Sequence, residues 1–150
     1  MGNGTKLREF GWAEMDRQHR SLVGAIDFLG AAPRQRASDL AELRRILQEI
    51  KDHFDWEEAE MLQAGYPDLV HHKSDHHRQL LNIQDLHKLV DAGQEMLDAD
   101  FFAACREWNF RHIRSLDGDF VLFCNDRESW DLQQELRSWE YESRLAAYPD

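Results

Sequence analysis

The sequence is poor in the residues that interrupt regular structure or staple small folds. Its 150 residues include only three Pro and eight Gly, which excludes a turn-rich or low-complexity chain. Two Cys are too few for a disulfide scaffold. No apolar run approaches the ~18 residues of a membrane span, so no membrane association is expected. Positive charge is scarce as well. Against 29 acidic residues stand 18 Lys and Arg, a formal net charge of −11. Nucleic acid and anionic lipid both need a cationic face, so neither is expected as a partner. The opening Met1-Gly2-Asn3-Gly4-Thr5 has no basic or apolar leader pattern, which leads us to expect no signal peptide and a cytoplasmic location. What remains is an acidic globular chain of 17.7 kDa, the size of one domain. Histidine is what it has in excess: eight in all, five of them between His53 and His77.

Long segments repeat apolar residues at helical spacing, and none alternates like a strand. Segment A runs from Glu14 to Leu29 and stops before Gly30 and Pro33. Segment B opens at Ser38, a good N-cap residue, carries Leu40, Leu43, Leu47, Ile50, Phe54 and Met61, and ends at Gly65-Tyr66-Pro67. Segment C spans Asp68 to Val90, and segment D begins near Asp98 and carries Phe102, Cys105, Leu116, Phe120 and Phe123. Four amphipathic helices on short loops predict an all-α, antiparallel up-down-up-down four-helix bundle over residues 1–124. Residues 125–150 form a C-terminal amphipathic helical extension, which either continues segment D or folds back as a fifth helix.

Polar residues interrupt the apolar stripes at buried phase. His53 follows Ile50 by three residues, and Glu57 follows His53 by four. A spacing of four turns a helix by ~40° and climbs ~6 Å, so both side chains face the bundle axis. His72 and His76 repeat that spacing on the stripe of Leu69, Leu80 and Ile83, while His19 lies one turn before Leu22 and Val23. His112 shares a face with Phe102, Cys105, Leu116 and Phe120. Asp117 comes five residues later, ~140° around an ideal helix, and reaches the same centre only through a bent or locally unwound turn or from the edge of the stripe. One buried His is more often a satisfied core residue than a ligand. Five His and two carboxylates at buried phase on four helices would cost several kcal/mol each without a partner. A cluster of two first-row metal ions is the economical explanation.

Read as motifs, these residues resemble the hemerythrin family. The carriers are Met15-Asp16-Arg17-Gln18-His19, His53-Phe54-Asp55-Trp56-Glu57-Glu58, Tyr66-Pro67, His72-Lys73-Ser74-Asp75-His76, and Trp108 through His112-Ile113 with Asp117. One N-terminal His followed by HxxxE, HxxxH and HxxxxD in that order is a specific pattern, and the resemblance, closest to the single-domain bacterial branch, covers roughly residues 8–124. It implies two non-haem iron ions, oxo- or hydroxo-bridged, that bind O2 reversibly. Carried over, His72, His76 and His112 would hold a coordinatively saturated iron, and His19 and His53 a second iron with an open position. Glu57 and Asp117 would bridge the two. On the implied chemistry the net charge of the centre is the same before and after O2 uptake, which suits a low-dielectric core. Trp108, Asn109 and Ile113 would line the O2 pocket. Here the chain departs from its family, which has Leu where this sequence has Asn109. An amide there either stabilises bound hydroperoxide or admits water and hastens autoxidation, or it turns toward a neighbouring helix and matters little.

The resemblance implies O2 carriage, storage or scavenging without turnover, so the chain is not expected to be an enzyme. The alternatives are an O2 or redox sensor signalling through the C-terminal helix, and di-iron oxidase or peroxide chemistry; a zinc site fits the low cysteine content and ligand count less well. His71 and His77 fall off the ligand stripe and His87 lies too far along it. Glu58 is expected to be solvated, Lys73, Arg78, Arg106 and Arg111 to belong to solvated faces, and Cys105 and Cys124 to be reduced core thiols. The tail carries Trp130, Leu132, Leu136, Trp139, Tyr141 and Leu145 among seven acidic and three basic residues. Packing on the bundle, a homo-oligomer face and a docking helix for a protein partner are all open to it.

Overall fold

The computed structural model describes residues 6–31, 36–93 and 97–147, with the side chains at 36–39 and 145–147 outside the description. Its elements are α1 (Ala13–Ala31), α2 (Arg36–Ala64), α3 (Leu69–Asp91), α4 (Ala99–His112), a π turn (Ile113–Asp117), α5 (Gly118–Asn125) and α6 (Arg127–Ala147). The fold is all-helical, a four-helix bundle in which α4, the π turn and α5 together make the fourth helix. Pro33 lies outside the described residues. α2 begins at Arg36, so Ser38 stands inside the first turn instead of capping it. Gly65 closes α2 with a positive φ of 67°, which glycine adopts without strain. At α4 the cap is explicit: the Asp98 side chain accepts from the Phe101 N–H at 2.8 Å.

Segment D is one helix interrupted. Within Ile113–Asp117 the Gly118 N–H donates to the Ile113 carbonyl, five residues back, so one extra residue is taken into the turn. Arg8 Nη1, reaching in from the N-terminal segment, donates to the Arg114 carbonyl at 3.1 Å. The helix then ends at Asp126, whose φ of −149° and ψ of 80° are not helical. The tail is therefore a separate helix.

The core lies in two apolar clusters. One joins Leu22, Ile26, Leu43, Ile50, Phe54, Ile83 and Phe102. The other joins Met15, Met61, Tyr66, Phe120, Phe123 and Trp130. Along every helix of the bundle the polar residues at buried phase stand between the parts that feed these clusters: His19 between Met15 and Leu22, His53 and Glu57 between Ile50 and Met61, His112 and Asp117 between Phe102 and Phe120. Burying each large apolar side chain is worth about 1.5–3 kcal/mol. The two clusters thus clamp a polar layer that could not hold itself together.

The expectation of two core thiols needs correction. Cys124 is exposed, not a core residue, because it sits on the outer face of α5; Cys105 is half-buried, and both thiols are free. Of the apolar residues in the tail, left open above, Trp130 packs on Tyr66 and Phe123, while Leu132, Leu136, Trp139 and Tyr141 are exposed.

Candidate metal centre

The structure brings all seven predicted donor residues together, each buried. Their atoms fall into two groups. Glu57, His72, His76, His112 and Asp117 form one, and His19, His53 and Asp117 the other. His112 Nε2 lies 3.2 Å from His72 Nε2 and 3.1 Å from His76 Nε2. Glu57 Oε2 is 3.5 Å from His72 Nε2 and 3.4 Å from His76 Nε2. Asp117 is common to both groups: Oδ1 faces His112 Nε2 at 3.0 Å and His72 Nε2 at 3.1 Å, while Oδ2 faces His19 Nε2 at 3.1 Å.

The π turn is what makes this placement work. An ideal α-helix would carry Asp117 ~140° away from His112. Taking one more residue into the turn returns the side chain to nearly the same face. Both residues are then buried, His112 at 4% and Asp117 at 0% exposure.

The outer ring nitrogens fix the direction of the inner ones. His53 Nδ1 meets Gln18 Oε1 at 2.8 Å, His76 Nδ1 meets Glu58 Oε1 at 3.1 Å, and His112 Nδ1 meets Asp75 Oδ2 at 2.8 Å. Each partner oxygen accepts, so each ring donates its Nδ1 proton outward and turns a bare Nε2 lone pair inward. Lys73 in turn pairs with Glu58 at 2.6 Å, and Arg78 pairs with Asp75. Glu58 is therefore no solvated bystander. It is largely covered, at 19% exposure, because it holds both a ring and an ammonium group. The charges of Lys73 and Arg78 are exposed, as expected, but they anchor the carboxylates behind two rings.

Fully buried Glu57 and Asp117 oxygens have no hydrogen-bond partner among the described residues, and neither does His19 Nε2. Buried carboxylate oxygens without a hydrogen-bond partner thus converge with ring nitrogens, an arrangement that calls for positive charge. A metal about 2.1 Å from each of two adjacent imidazole nitrogens at right angles holds them about 3.0 Å apart. The observed Nε2 separations of 3.1 and 3.2 Å fit that edge. The residues present fit a metal.

The electrostatics say the same. Burial opposes a charge on His112 and His72, yet the Asp117 and Glu57 carboxylates outweigh it and raise the two rings to about 10 and about 9. For Glu57, burial and the Asp117 charge push upward, but His72 and His76 prevail and bring it down to about 2. Asp117 is driven well below the carboxylate range by His112, His19 and His72 against its burial. His53, where burial dominates, falls to about 4. The two carboxylates stay charged and recruit positive charge; a metal would take the place of the recruited protons.

Of the predicted pocket residues, Trp108 stacks on the His112 ring at 4.7 Å and Ile113 is buried in the π turn. Asn109 is buried at 6% exposure, and its Nδ2 donates to the Cys105 carbonyl at 2.8 Å. It lines a pocket of about 10 Å³, barely room for one water, with Ile26, Ile50, Ile83, Phe102 and Gln79. Sequence reasoning missed Gln18, Asp75 and the role of Glu58. The available signal was positional: each neighbours a donor residue in sequence, at the edge of the buried stripe, where an outward ring proton needs an acceptor.

A helical bundle clamping two sets of imidazole and carboxylate donors around one common Asp defines a class of metal-binding helical proteins. A family model described as the hemerythrin HHE cation binding domain matches residues 11–122. The chain belongs to the hemerythrin family. It is 30% identical over 104 residues to the bacteriohemerythrin of Methylococcus capsulatus, covering 68% of this chain and 79% of that protein. With the bacteriohemerythrin of Campylobacter jejuni it shares 28% identity over 121 residues, or 75% and 87% of the two chains. The crystal structure of a wild-type hemerythrin superposes with a TM-score of 0.68 at 28% identity, over 74% of this chain and 85% of that one.

Proposed function

We propose that this protein binds O2 reversibly at a non-haem di-iron centre, as a carrier, store or scavenger and not as an enzyme. The observation that carries the reading is the set of buried donors, five imidazoles and two carboxylates divided around Asp117, in which the Glu57 and Asp117 oxygens have no hydrogen-bond partner among the described residues. His72, His76 and His112 would hold one iron and His19 and His53 the other, with the Glu57 and Asp117 carboxylates supplying the anionic donors. When bound, such a pair supplies two electrons to O2 and recovers them on release.

The chain's own residues do the rest. Outward hydrogen bonds from His53, His76 and His112 hold three rings in one tautomer, so that no ring reorganises when charge at the centre changes. Phe54 stacks on His76 at 3.7 Å and Trp108 on His112, shielding these rings from water. The five-imidazole donor set favours binding over oxidase chemistry, for which carboxylate-rich sites are the rule. Cytoplasmic residence suits an acidic chain in which no described helix is long and apolar enough to cross a membrane.

The test is anaerobic reduction of iron-loaded protein followed by air. A visible band that appears with O2 and vanishes when O2 is withdrawn is the expected result. Irreversible conversion to a diferric product would replace reversible binding with oxidase-like chemistry.

A further inference from the structure

The last helix carries its apolar face on the wrong side for self-packing. Trp130, buried at 8% exposure, packs on Tyr66 and Phe123, Arg137 pairs with Asp119 at 2.7 Å, and Gln133 and Gln134 are half-covered. These positions define the inner face of α6. Leu132, Leu136 and Trp139, at 58, 56 and 67% exposure, follow one another at spacings of four and three, on the opposite face. A seam with that spacing is the one helices offer to other helices.

The residues beside the seam restrict what covers it. In heptad terms Leu132 and Trp139 fall at d and Leu136 at a, so the flanking g positions are Glu128, Glu135 and Glu142, and Glu140 falls at e. All four glutamates are exposed, and none takes part in an ion pair given by the structure. A second copy of this helix would set glutamate against glutamate in either orientation. In parallel pairing Glu135 meets Glu140 of the other copy; in antiparallel pairing the g residues meet one another. Like charges across a seam oppose association. The whole chain, at −11, adds to that repulsion and disfavours an anionic membrane.

We propose that the outer face of α6 is a docking surface for a basic amphipathic helix of another protein, with Leu132, Leu136 and Trp139 filling its apolar stripe and Glu128, Glu135, Glu140 and Glu142 pairing with its Lys or Arg flanks. This is the helix-to-helix mode of recognition, in which apolar anchors supply affinity and flanking charges select the partner. It is independent of what the metal centre binds.

The experiment uses the full chain and two labelled helical peptides with the same leucine seam, one flanked by Lys and one by Glu, followed by fluorescence anisotropy. The Lys peptide should bind at least about tenfold more tightly than the Glu peptide, with a preference that shrinks as salt rises. Leu136→Gln with Trp139→Gln, both at exposed positions, should remove binding while circular dichroism stays unchanged. Reversing three charges together, Glu128→Lys, Glu135→Lys and Glu142→Lys, should turn the preference toward the Glu peptide. Equal binding of the two peptides, no binding of either, or a preference that survives charge reversal would overturn the proposal. So would a chain that dimerises through the seam, or one that uses it to partition into zwitterionic vesicles.

Discussion

At the scale of single residues, the rings of the centre are not equally supported. His76 and His112 have carboxylates behind them, His53 has the neutral Gln18 amide, and the outer nitrogens of His19 and His72 have no partner among the described residues. A carboxylate behind a ring raises its basicity and fixes its orientation. Asp75→Asn, which leaves an acceptor for the His112 proton but removes the charge, should therefore cost about 10–100-fold in metal affinity, measured by competition with a chelator. Asn109 makes the second residue-scale prediction. Its amide is the polar group nearest the small apolar pocket together with Gln79, so Asn109→Leu should lengthen the lifetime of the O2-dependent absorption band severalfold by excluding water. An unchanged lifetime, followed spectroscopically in air, would show that the hydrogen bond to Cys105 already takes the amide out of play. That His19, His53, Glu57, His72, His76 and His112 would face one buried layer was legible in the sequence, because a spacing of three or four on an apolar stripe leaves a polar side chain one direction to point. Glu58 and Asp75 were not, since stripe phase does not resolve a side chain at the boundary of the buried face from one in solvent.

At the scale of elements, the π turn decides whether the fourth helix can contribute two donors instead of one. Sequence spacing identified the conflict at Asp117 and the unwound turn as one of its solutions; it could not choose, because the turn is held by long-range contacts such as Arg8 to the Arg114 carbonyl. Inserting one Ala after Ser115, an exposed residue inside the turn, should rotate everything from Asp117 onward by about 100°, whereas deleting Ser115 would leave His112 and Asp117 four residues apart on a plain α-helix and on nearly the same face. Helical circular dichroism should change little, while metal stoichiometry falls and Phe120 leaves its cluster. Retention of full stoichiometry would mean that Asp117 does not depend on the turn. The break between α5 and α6 was similarly beyond sequence reach. Neither Gly nor Pro marks Asp126, and the reversal of apolar face between Trp130 and Leu132 shows only once the bundle is in place.

At the scale of the whole molecule, the polar layer between two apolar clusters couples metal to stability. Without a cation the buried oxygens of Glu57 and Asp117 remain unpaired in the middle of the fold. Metal binds the folded chain and not the unfolded one, so at a free concentration a thousandfold above Kd it should add about 4 kcal/mol. For a chain of this length that corresponds to a rise in Tm of about 10 °C, read by calorimetry with and without chelator. Overall topology was the easiest thing to read from the sequence, since four long apolar repeats joined by Gly- and Pro-marked breaks admit few arrangements. The outward seam of α6 gave no such signal, because an amphipathic pattern does not say which way its apolar side will face.

The unequal division of donors around Asp117 has a consequence for assembly. One group offers five residues and the other three, and they hold Asp117 in common. Filling should therefore be ordered. The His72, His76 and His112 side would saturate first, orienting Asp117 and cancelling the charge it presents to a competing proton. The His19 and His53 side would then fill from a poorer set. Titration of the metal-free chain should give two resolved steps instead of one, with a half-loaded species dominating at one equivalent, and a single cooperative step would show that the common carboxylate couples the two sides more strongly than their donor counts separate them. The side that fills last is also the first to empty, so the protein's capacity would follow metal supply gradually, and a cell short of metal would hold a reserve of folded, half-complete molecules.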